Sequence, residues 1–237
     1  MSAAVLEKFT TANDAISARV DGELRRVLGR IDLANPAVAR SALFEAIPPL
    51  VDRWGDVAAV VAAEWFEQFR AVEGASGPRA TLAPKVPEGV INGRLGFATR
   101  ESGHLFAGQT SEFENFLSLI VNEYVLQPGH DTVAMNSARS KARYARVPEP
   151  GACAFCLTLA SRGFVYTKST VTGTKGGERY HGYCRCKGMP VWDETRARVV
   201  YGYDPEGLLK LYKEAAEESG RDVREVTHTL REQGIGR

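Results

Sequence analysis

Residues Asp56–Gly74 read DVAAVVAAEWFEQFRAVEG. Val57, Val60, Val61, Trp65, Phe66 and Phe69 recur at helical steps and form a broad apolar stripe. Such a stripe has to be covered by other elements, so these aromatics are expected in a core. Upstream, Leu6, Phe9, Ile16, Val20, Leu24, Val27, Leu28 and Ile31 keep the same spacing, with Lys8, Asp14, Arg19, Glu23 and Arg26 on the opposite face. Between them, NPAVARSALFEAIPPLVDRWG has Asn35 as an N-cap and Pro36 at the first helical position. Pro48 and Pro49 are expected to kink or break that segment. Residues 1–74 are therefore a helical region.

Downstream, GASGPRATLAPKVPEGVINGRLG carries three prolines and five glycines without periodicity. It predicts a linker or long loop over 75–110. Helices over 111–143 follow: Ser111 is placed as a cap, Pro128 and Gly129 as a stop, and a short helix over residues 131–146. After a cysteine-bearing module over 144–192 come C-terminal helices over 193–237, with Pro205 at a first helical position and Gly220 past an end. Strand signals are confined to GFVYTKS and GMPVW. The expected fold is mainly α, interrupted by a small loop-rich module with little β.

At 237 residues, 44% hydrophobic and 25% charged, the composition excludes wholesale disorder. No apolar run approaches the roughly 20 residues that cross a bilayer, and the first residues lack the apolar core of a secretory signal. Folding in a reducing cytosol, without a membrane partner, is the expectation. There, cysteines serve more often as thiols or metal ligands than as disulfides.

All four cysteines fall in the module, as Cys153-x2-Cys156 and Cys184-x-Cys186, with His181 three residues before Cys184. A C-x2-C pair brings two sulfurs to one ion, and a second pair or a histidine completes a tetrahedron. Structural zinc is the first reading. Cys153, Cys156 and Cys184 are the firmest ligands, with Cys186 and His181 competing for the fourth place. Two disulfides are the alternative, although a bridge within C-x-C is strained. The segment TKSTVTGTKGGERYHGY is almost wholly polar and glycine. Something other than apolar burial is therefore expected to order the module.

The module is also basic. Arg139, Lys141, Arg143, Arg146, Arg162, Lys168, Lys175, Arg179, Arg185 and Lys187 face only Glu149 and Glu178. This concentration suggests a surface for a polyanion or an acidic partner. Tyr144, Phe155, Phe164, Tyr166, Tyr180 and Tyr183 interleave with the charges, and Phe155 and Phe164 are assigned to a small core. His104, His130 and His228 are read as ordinary surface or cap residues.

From Tyr144 to Val191 the chain resembles the C-terminal module of phage Mu F-like minor head proteins, in the form seen in phages of actinobacteria. The likeness rests on Cys153-x2-Cys156 with LASRG, on Tyr166, and on His181 with CRC at 184–186. It implies a virion component at the capsid interior or portal vertex. The implied partners are the portal protein and the major capsid protein, with packaged DNA as a further contact, and no small-molecule substrate. The implied role is head assembly and the packaging or delivery of DNA, without enzymatic turnover. Relatives carry a fused maturation protease, for which the first 140 residues show no nucleophile motif. The competing readings are a zinc-knuckle nucleic-acid binder and a His-metal-finger nuclease using His181 or His228 as base.

Overall fold

The computed structural model describes residues 2–149, 151–164, 186–195 and 202–236. Within these the chain is mainly α, with helices α1 (Ser2–Leu28), α2 (Pro36–Val72), α3 (Glu88–Ala98), α4 (Thr110–Arg139), α5 (Ala154–Ala160), α6 (Pro205–Ser219) and α7 (Val223–Glu232). Strands β1 (Arg143–Pro148) and β2 (Cys186–Val191) form one antiparallel pair, registered Arg143 to Val191 and Pro148 to Cys186. None of the described helices is long and apolar enough to cross a membrane.

Helix α2 begins as expected, with the Asn35 side chain accepting from the Val38 N–H at 3.4 Å and Pro36 in the first turn. It then runs unbroken through Pro48 and Pro49, so of the expected kink or break the break does not occur. Each proline removes one helical N–H, at a cost of about 3 kcal/mol in a helix interior. Burial of Leu43, Ile47, Leu50 and Val51 on the same helix opposes that cost, at about 1.5–3 kcal/mol per large side chain. Pro48 is itself buried.

Helix α4 likewise passes through Pro128 and Gly129, where a stop was expected. Gly129 allows close approach here: a side-chain carbon on it would lie 3.1 Å from the Ala58 carbonyl oxygen. One on Gly55 would lie 3.3 Å from the Pro128 ring. Helices α2 and α4 thus cross nearly backbone to backbone, and among the described elements their packing is the most extensive. Gln109, not Ser111, precedes the first turn of α4, and no side chain caps it.

The expected loop over 75–110 contains α3, whose Ile91, Leu95 and Ala98 are fully buried. Even its non-helical part is fixed. Asn136 on α4 accepts from the Thr81 N–H at 3.0 Å and donates to the Thr81 carbonyl at 2.8 Å, in the manner of a strand partner. Thr132 accepts from the Ala83 N–H at 3.0 Å. Lys85 reaches Asp56 on α2 at 3.0 Å and Asp52 at 3.4 Å. Proline density here marks an extended strap against two helices; the missing N–H groups face no ladder.

Two large cores result. One joins α1, α2, α3 and α4 around Val20, Leu43, Ile47, Leu95, Leu117 and Val121. The other joins the distal ends of α2 and α4 to the hairpin, through Trp65, Phe66, Phe69, Val133, Tyr144, Ala145, Met189 and Val191. Phe9 and Phe69 stack on Trp65, and Trp192 lies over Phe66 and Phe69. Residues 143–146, read as the end of a helix, belong to β1, where Tyr144, Ala145, Arg146 and Val147 are all buried in succession, as in a strand covered on both faces. Of the two strand signals, GMPVW lies largely in β2, while GFVYTKS falls mostly outside the described residues.

Candidate functional site

The site grows from the turn between β1 and α5. Cys153 is the N-cap of α5, with extended backbone (φ −74°, ψ 160°), and its sulfur accepts from the Cys156 N–H at 3.4 Å. An N–H aimed at sulfur orients the side chain. Because β1 pairs with β2 and α5 follows β1 directly, Cys186 opposite Pro148 is carried next to Cys156. Cys156 and Cys186 are fully buried in one cluster with Ala152, with Cys153 and Leu157 packed against it. Two segments separated by about thirty residues of sequence are thereby brought to one place.

Cys186, which competed with His181 for the last ligand place, is thus seated beside the C-x2-C pair. His181 and Cys184 lie outside the described residues. Among the described residues no group of three or more His, Cys, Asp or Glu side chains is placed so that it could hold a metal ion. The donors that do gather are soft thiols in a dry cluster, which fits zinc better than an oxygen-seeking ion.

Around the cysteines, the C-terminal helices close the other side. Helix α5 packs on α6 and α7, and Ala154 shares a cluster with Ala215, Val226 and Leu230. Gly236, with φ +80°, lies on the backbone of the C-x2-C turn; a side-chain carbon there would fall 2.9 Å from the Cys153 carbonyl carbon. Phe164 stacks edge-on against Tyr203, whose hydroxyl donates to the Ala160 carbonyl. Phe164 is therefore core, as expected, while Phe155 is only half-buried.

The described basic residues do not form one exposed field. Arg146 and Lys187 are buried in the hairpin. Lys187 pairs with Glu149, whose carboxylate also accepts from the Thr10 hydroxyl at 3.2 Å, which ties the hairpin to α1. Arg143 pairs with Glu194. Arg139 is exposed but binds the strap, reaching the Thr81 hydroxyl at 2.6 Å and the Arg79 carbonyl at 3.2 Å. Lys141, with φ 57°, turns the chain between α4 and β1, and Arg162 is exposed. Lys168, Lys175, Arg179 and Arg185 lie outside the described residues.

A cleft of about 300 Å³ opens beside Cys186, between the polar face of α1, α4 and the hairpin. Thr10, Asn13, Asp14, Ser17 and Asp21 line one wall, and His130, Glu149 and Lys187 the other. His130 is only 8% exposed, against its reading as a surface residue. The steps 10, 13, 14, 17 and 21 mark this polar stripe in the sequence, although only the fold shows what faces it. His104 sits 2.6 Å from the Gln109 side chain, and exposed His228 lies 3.4 Å from Glu232.

The class defined by this fold and site is a helical body with a cysteine-bearing hairpin built into its core. Residues 1–215 match the model of the VG15 protein family, and the chain belongs to that family of phage proteins. No curated protein and no solved structure matches the chain.

Proposed function

We propose that the chain is a minor head protein of the Mu F-like kind, a non-enzymatic virion component at the capsid interior or portal vertex. Its partners are the portal protein and the major capsid protein, and it assists head assembly and the packaging or delivery of DNA. The observation that carries this reading is the gathering of Cys153, Cys156 and Cys186 at the junction of the helical body, hairpin and C-terminal helices. A structural zinc drawing on Cys153, Cys156 and Cys184, with Cys186 or His181 as fourth ligand, would fasten the module to the body. Such a closed site adds folding free energy and no open coordination position. Among the described residues, the pairing of Arg143 with Glu194 and of Lys187 with Glu149 and the burial of Arg146 leave fewer cations for a polyanion, which supports protein assembly as the role.

Two measurements test the reading separately. Elemental analysis of purified protein should find about one zinc per chain, and a chelator should lower the unfolding temperature sharply. Metal-free protein that unfolds unchanged would sink the zinc assignment. Co-expression with the portal protein of the same phage should give a complex; two proteins that never co-purify would remove the assembly role.

A further inference from the structure

Two sulfurs of the cysteine cluster stand close together, and one of them belongs to a residue at the surface. Cys153 is half-buried, whereas Cys156 and Cys186 are buried. The Cys153 sulfur lies 3.4 Å from the Cys156 backbone nitrogen, within a side chain's length of the second thiol. Only Ala154 and Phe155 separate the two residues along the chain. Cys186 shares the cluster, but it is anchored across the turn in β2, opposite Pro148.

The same turn is the seat of the C-terminal helices. A side-chain carbon on Gly236 would lie 2.8 Å from the Ala154 Cα. Ala154 packs with Ala215, Val226 and Leu230, and Ile235 lies against that cluster. Among the described elements, α6 and α7 pack extensively only on each other and on α5. Helix α7 has ten residues and buries two large apolar side chains, Val226 and Leu230. An isolated helix shorter than about 12 residues is marginal in water, so the hold on α7 depends on the shape of this turn.

We propose that the C-x2-C turn is a redox switch: oxidation joins Cys153 to Cys156, and the bridged turn loosens α7 and the tail. The oxidant is a peroxide. The Cys153 thiolate attacks one peroxide oxygen and becomes a sulfenic acid as hydroxide leaves. The Cys156 thiol then displaces that oxygen as water and forms the S–S bond. Two electrons pass in all from the sulfurs to the peroxide. The chemistry rests on the turn alone, while its setting rests on the virion role proposed above. A head protein is made in a reducing cytosol and carried out in a particle, so it meets both conditions in turn. Zinc held by these two sulfurs would lose both ligands and be released.

The full chain, purified under reductant, is assayed for zinc and then treated with hydrogen peroxide. Peptide mapping should find the Cys153–Cys156 bridge, and any zinc counted beforehand should appear in solution. Amide exchange in α7 should quicken at least about tenfold, with exchange in α2 unchanged. Dithiothreitol with added zinc should reverse these changes, which separates them from methionine oxidation. A Cys153→Ser chain that folds by circular dichroism should show α7 exchange indifferent to peroxide; if it does not fold, the unmodified chain decides. Protein that carries no zinc beforehand, yet forms the bridge and loosens α7, would remove the zinc assignment and leave the switch standing. A bridge elsewhere, sulfinic acid in place of a bridge, or bridged protein with unchanged α7 exchange would each overturn the proposal. So would an equal rise in α2, or a folded Cys153→Ser chain that still responds.

Discussion

Glu149 shows how much one side chain can join. It neutralises the buried ammonium of Lys187 and receives the hydroxyl of Thr10 from a helix 139 residues earlier. Glu149→Ala would leave Lys187 buried without its carboxylate, and about 1–3 kcal/mol of stability should be lost in denaturant unfolding. Thr10→Ala should cost less, since water can replace its hydroxyl. In the sequence Glu149 stood only as one of two acids in a basic stretch; its partners come from other elements. Glu23 makes a second such junction. The Trp54 indole N–H at 2.8 Å lowers its pKa below the usual carboxylate value, against the opposing effect of burial, and the charges of Arg53 and Arg26 add to the lowering. A depressed folded pKa gives stability that is present above the unfolded value of about 4.3 and lost as pH falls through the folded one. Glu23→Gln should therefore flatten the acid limb of a melting-temperature profile. An acid limb as steep as before would contradict this role.

At the scale of elements, prolines decided most of the differences from local expectation. Pro36 and Pro205 start helices, as their positions predict, because a first-turn N–H has no helical partner to lose. Pro48, Pro49 and Pro128 sit inside helices because packing between α2 and α4 outweighs the missing bonds. Pro49 is exposed, so its ring has less packing to lose than that of Pro48. Pro49→Ala should restore a bond to the Glu45 carbonyl and stabilise the protein by about 1–3 kcal/mol. A denaturant midpoint that fell would mean that the ring shapes α2. The strap at 78–87 is invisible to periodicity for a related reason. Its backbone partners are the side chains of Thr132 and Asn136, about fifty residues downstream, which no local pattern encodes.

For the whole molecule, the consequence is that the cysteine module is not an appendage. Tyr144, Met189 and Val191 complete the aromatic core begun by Trp65, Phe66 and Phe69, and α7 closes over α5 from the other side. The tail at Gly236 presses on the C-x2-C turn with no room for a side chain. Gly236→Val should therefore lower the melting temperature and, for the zinc proposed above, speed metal release to a chromogenic chelator. Release at the original rate would show that the tail does not support the turn.

The sequence by itself determined the mainly helical class and the Asn35 and Pro205 helix starts, because each depends on residues within a few turns of one another. The tertiary structure alone decided that helices continue through prolines, that the proline-rich strap is ordered, and that Arg146 and Lys187 are buried. Those outcomes depend on burial and charge partners supplied by segments far apart along the chain, whose energies exceed the local preferences they override.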